Sequence, residues 1–88
     1  MGDRKIRTGD LVVPDNRGFD ILKGLNVYPY WGSKERGMPK SSGYWRMGEV
    51  GLVLESLENQ GGNGCEVLLG DGRKVWVNLY MVKKVVNK

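Results

Sequence analysis

Histidine is absent from this chain, cysteine and phenylalanine each occur once, and proline occurs three times. Without histidine there is neither the usual general base for neutral pH nor the commonest metal ligand. The lone Cys65 makes no internal disulfide and anchors no Cys-rich zinc site. No apolar run is long enough to cross a bilayer, and no apolar stretch of a secretory signal follows Met1-Gly2-Asp3-Arg4-Lys5. The myristoylation pattern wants Ser or Thr at the sixth position, where Ile6 stands. These absences lead to the expectation of a cytoplasmic protein, or one assembled into a virion, that is not secreted and has no membrane partner. Catalytic patterns are equally scarce. No Ser or Cys nucleophile has an imidazole to activate it, and nothing in the sequence raises the pKa of Glu55 or Glu58. Gly61-Gly62-Asn63-Gly64 lacks the Lys-Ser/Thr pair and helix of a phosphate loop. The expectation is a protein that is not an enzyme and carries no cofactor.

What is present suffices for one small folded unit. At 88 residues the chain reads as a single domain, 1–88. Its 40% hydrophobic and 27% charged content is too apolar for a disordered tail. The second half is regular. Gly48–Ser56 alternates so that Val50, Leu52 and Leu54 share one face, the pattern of a half-buried strand. A glycine-rich connection, 57–64, leads to Cys65–Leu69, with Cys65, Val67 and Leu69 aligned. Asp71-Gly72 then marks a tight hairpin into Arg73–Asn78, with Val75 and Val77 inward and Trp76 on the other face. A short turn at 78–81, of one 3₁₀ turn, precedes a last strand at 82–86. Elements joined this tightly leave no room for a crossover helix, so they form an antiparallel meander. The expected core is Val50, Leu52, Leu54, Val67, Leu69, Val75 and Val77, with Cys65 as a small buried hydrophobe.

The first half has one plausible strand, Gly9–Val13, ended by Pro14, and then a long stretch, about 15–47, without sustained period. Loops beyond about 12–15 residues are uncommon unless functional or disordered. Its aromatic content (Phe19, Tyr28, Tyr30, Trp31, Tyr44 and Trp45) argues against disorder. Leu25 and Val27 are expected to pair with Tyr44 and Arg46 as an excursion hairpin that Pro29 keeps at an edge. Asp20–Gly24 reads as one helical turn closed by its glycine.

A lone strand, a long insertion, a three-stranded meander, a 3₁₀ turn and a closing strand is the order of an SH3-like small antiparallel barrel. Gly48-Glu49-Val50-Gly51-Leu52-Val53 resembles the G-x-x-G-x-V core of the KOW motif, and Gly9–Val13 resembles the strand that often precedes it. Glu66–Leu69 with Asp71-Gly72 and Trp76 is similar to the hairpin of Tudor-like and Mib-Herc-like modules, a layout also seen in small phage proteins. The resemblance leaves out the segment 15–47. It implies an all-β barrel and a binding role without naming a ligand.

The net charge of +4 can be placed in one window: Lys23, Lys34, Arg36, Lys40 and Arg46 stand against Glu35 alone, so the remainder balances. Tyr28, Tyr30, Trp31, Tyr44 and Trp45 are interleaved with them. Cations among flat rings suit single-stranded nucleic acid, whose phosphates need neutralising and whose bases stack. The competing interpretation, which we favour, is that the rings roof an undersized core and the cations are solvated, since Tyr and Trp are commonly mostly buried. An aromatic cage for a methylated lysine is disfavoured by the surrounding positive charge. The expected function is therefore a non-catalytic binding or assembly module, such as a phage structural or interaction protein, with a protein partner or homo-oligomer as its contact. The alternative is a nucleic-acid-binding module using the basic aromatic loop. The candidate ligand-binding residues are Tyr28, Tyr30, Trp31, Lys34, Arg36, Lys40, Tyr44, Trp45 and Arg46.

Overall fold

The computed structural model describes residues 5–15, 24–32, 35, 37–58 and 62–85. Within them the chain is built from antiparallel strands: β1 (Leu11–Pro14), β2 (Leu25–Val27), β3 (Gly43–Trp45), β4 (Gly51–Ser56), β5 (Gly64–Leu69), β6 (Lys74–Asn78) and β7 (Val82–Lys84). No α-helix occurs among the described residues, and none there is long and apolar enough to cross a membrane. A 3₁₀ turn, Leu79–Met81, separates β6 from β7, with the Asn78 side chain accepting the Tyr80 amide. Five strands form one sheet in the order β6-β5-β4-β1-β7, while β2 and β3 form a separate ribbon. An excursion hairpin forms, but one residue out of the expected phase: Leu25 and Val27 stand opposite Trp45 and Gly43 rather than Tyr44 and Arg46, and Tyr44 stands opposite Asn26. The helical turn expected at Asp20–Gly24 falls, except for Gly24, outside the described residues.

Proline placement follows from which way the backbone groups face. Asp15 donates to the Met81 carbonyl and Val85 to that of Leu11, so the odd-numbered residues of β1 address β7. Val12 and Pro14 therefore address β4, and a residue with no N–H ends that ladder. The β1–β4 register accordingly stops at Val12↔Gly51, whereas pairing with β7 continues through Pro14↔Val82.

The ribbon is tied to the sheet by a reciprocal backbone pair: Tyr28 N–H to the Trp76 carbonyl, 2.9 Å, and Trp76 N–H to that of Tyr28, 2.8 Å. Among the described residues no pairing joins β3 back to β7, so backbone hydrogen bonds form no closed barrel, where the sequence led to the expectation of one. The ribbon sends Leu25, Val27 and Trp45 into a core shared with Ile6, Val12, Val53, Cys65, Val67, Leu69, Val75, Val77, Leu79 and Val82.

One strand faces opposite to its expected phase. Val50 is exposed and Leu52 and Leu54 are only half-buried, while Gly51 and Val53 point inward. The physical reason is Trp45. Its indole lies on Gly51, where an added Cβ would come within 3.0 Å of the ring and overlap a Val67 methyl. An inward Leu at this strand's start would occupy the indole's place. Further along, the register shifts between Val53 and Glu55, so that Leu54 is the extra residue of a bulge. Val50, Leu52 and Leu54 thus belong to the outer face of the sheet. The expected core members Val67, Leu69, Val75 and Val77 are buried, as is Cys65.

Candidate functional site

The structure divides the nine candidate residues among different environments. Trp45 is fully buried, and its Nε1–H donates to the Glu49 carbonyl at 2.8 Å. It is a core residue whose faces no ligand can reach, which corrects its place among the binding residues. Lys34 and Arg36 lie outside the described residues. Tyr28 and Trp31 come together edge to face, with ring centroids 5.9 Å apart at 78°. The Trp31 ring also lies on the backbone of Gly64, at the start of β5, where any side chain would displace it. Both rings are half-buried, so they do part of the roofing that the sequence implied. Tyr30, Lys40, Tyr44 and Arg46 are exposed. Tyr44 faces away from the core because Trp45 next to it faces inward, the alternation of a strand.

Arg73 joins this ribbon and was not among the candidates. Its Nη2 donates to the Tyr44 carbonyl at 3.1 Å, while its Nε–H donates to Asp71 Oδ2 at 2.7 Å. The hydrogen bonds from Arg73 hold the Asp71 carboxyl below its ordinary pKa. The β5–β6 hairpin is in this way clamped to β3. No local signal announces such a contact, because the two residues are 29 positions apart. Cys65 offers no nucleophile: burial pushes its thiol up to about 12, leaving it protonated at neutral pH. A shallow groove lined by Lys5, Ile6, Arg7, Thr8, Ser56 and Glu58 mixes both signs of charge and selects neither.

The largest feature is the outer face of the five-stranded sheet. Cross-strand registers place Lys74, Leu68, Leu52 and Leu11 in one row from β6 to β1, and Val85, whose N–H donates to the Leu11 carbonyl, extends it past β7. Val13, opposite Lys83, stands one outward position along β1, and Val50 precedes Leu52 on the same side of β4. Leu54 and Glu66 flank the row on its other side, with Trp76 directly opposite Glu66. Leu11 and Val50 are each 43% exposed, and the remaining apolar members of the face are half-buried. In the sequence Val50, Leu52 and Leu54 read as core, because an alternating strand shows a period without showing which phase is inside.

Comparison with known proteins adds no relative: no protein-family model, no curated protein and no solved structure matches the chain.

Proposed function

We propose that this chain is a non-catalytic binding and assembly module on an open, SH3-like arrangement of strands, with the outer sheet face as its contact surface and a protein as its partner. The observation that carries the proposal is the row Leu11–Leu52–Leu68 with Val50 beside it, an apolar cluster left in contact with water. Contiguous apolar patches on small soluble proteins mark interaction sites more often than isolated exposed side chains do. The order of strands, with a 3₁₀ turn before the last, supports the SH3-like part of the proposal. A nucleic-acid role draws less support, since burial of Trp45 removes one of its stacking rings and Trp31 is packed against Gly64.

Site-specific photo-crosslinking in the native cell tests the proposal. A benzophenone side chain at Leu11 should capture a protein, whereas the same group at Tyr80, which is more exposed, should capture little. Equal or absent capture at Leu11 would sink the reading.

A further inference from the structure

We infer that the outer sheet face is self-complementary and that its occupant is a second copy of this chain, packed face to face about a two-fold axis. This rests on the proposed contact role of that face and names the partner. The face carries opposite charges at two separate corners. Its acids, Glu66 and Glu55, lie beyond the apolar row on one side, where Glu55 pairs with Glu66 across β4 and β5. Lys83 lies on the other side of the row, at the β7 edge, opposite Val13. The acids and this lysine therefore occupy opposite corners. Among the described residues neither Lys83 nor Glu66 has an ion pair within its own chain.

Strands ~4.8 Å apart and outward rows ~6.8 Å apart put the two corners on a diagonal of roughly 45° to the strands. A two-fold axis lying between the faces, at right angles to that diagonal, runs close to Leu11 and Leu52. It crosses the strands of the two copies at near right angles, one of the two ways in which sheets pack. It lays the Glu66 and Glu55 corner of each copy over Lys83 of the other, twice by symmetry. Leu11 and Leu52 then meet their symmetry mates at the centre, Val13 lies over Leu68 of the other copy, and the charges form a rim.

The same dimensions set the strength. The apolar area measures roughly 19 by 14 Å, well below the ~800 Å² per partner of a standard stable interface. The dimer is consequently weak, reversible and sensitive to salt.

Charge exchange across the axis is the test, read by sedimentation and by amide shifts of the full chain from about 10 μM to about 1 mM, a range suited to a weak contact. The expected result is concentration-dependent dimerisation with shifts centred on Leu11 and Leu52. Lys83→Glu and Glu66→Lys should each weaken it by about tenfold or more. Mixing these two variants should restore dimers, because each copy then meets an opposite charge at both corners. Both substitutions are on the surface, so their folding is checked by unchanged melting. A wild-type chain that stays monomeric at the highest concentration, or a mixture no tighter than either variant alone, overturns the inference. In the crosslinking experiment, a Leu11 adduct of a different protein without a dimer would also overturn it while leaving the contact role intact. No adduct at all would remove both.

Discussion

Replacing Trp45 by Phe removes two things at once: the indole N–H bonded to the Glu49 carbonyl, and the outer ring that covers Gly51. A lost hydrogen bond costs about 1 kcal/mol, and more where the abandoned carbonyl stays out of water. The vacated space adds a cavity contribution of similar size, so Trp45→Phe should cost roughly 2–3 kcal/mol. Truncation to Ala should cost roughly 3–5 kcal/mol, against a total stability of about 4–13 kcal/mol for a chain of 88 residues. In a domain this small each kcal/mol moves the melting temperature by about 4–8 °C. The partner position supplies a check on mechanism. Gly51→Ala should destabilise the wild-type chain, since its new Cβ overlaps a Val67 methyl and presses on Trp45, but it should cost less in the Trp45→Ala background, where the indole contact is gone and Val67 has room to turn aside. Thermal and urea denaturation of the four proteins measures that coupling, expected at about 0.5–3 kcal/mol. Additive effects, or a Trp45→Ala chain that melts within a few degrees of wild type, would refute the placement of the indole.

Two further outcomes follow from burial. Val53→Ala, at a fully buried position, should cost roughly 2 kcal/mol from two lost carbons plus a cavity, whereas Leu52→Ala, half-buried on the outer face, should cost no more despite losing a larger side chain; urea denaturation compares them, and a clearly larger loss at Leu52 would restore the opposite strand phase. The Cys65 thiol, raised to about 12 from 9.0, stabilises the fold fully below the unfolded value and loses that contribution as pH climbs from about 9 towards 12; a thiol reagent at pH 8 should leave the native chain unlabelled and label it on unfolding, and rapid labelling of the native state would contradict the burial.

The sequence was most legible where a short-range signal has only one geometric outcome. Asp71-Gly72 between two apolar runs gives β5, a tight turn and β6, and Asn78 before Leu79 caps the 3₁₀ turn through its own side chain. Pro14 lacks a donor and so ends the β1–β4 ladder, but the strand itself runs through it because pairing with β7 continues at Pro14↔Val82, and which neighbour it faces is set by the fold. The ribbon β2–β3 was legible as a pairing, though one residue out of phase, since Trp45 and Gly43 rather than Tyr44 and Arg46 face Leu25 and Val27. What that ribbon does was not. Rings and cations in one window look alike whether they bind or roof, and the distinction depends on what lies beneath them. Trp45 finds Gly51 and goes inside, Trp31 finds Gly64 and rests on it, and Tyr44, on the outward side of β3, stays exposed.

The same holds for the sheet. Alternation along Val50–Leu54 establishes a strand, and it also establishes that moving the phase by one residue exchanges one entire face for the other. Composition and pattern by themselves determined that the chain forms antiparallel strands, where most of its turns lie, and that Cys65, Val67, Val75 and Val77 share an interior. Tertiary structure decided which side of β4 joins them. The reason is steric: the interior has room for one large ring from β3, a glycine must lie under it, and once Gly51 faces inward Leu52 has to face out. That choice is made by a contact between residues distant in the chain, and it turns part of an expected core into the surface on which the proposed function rests.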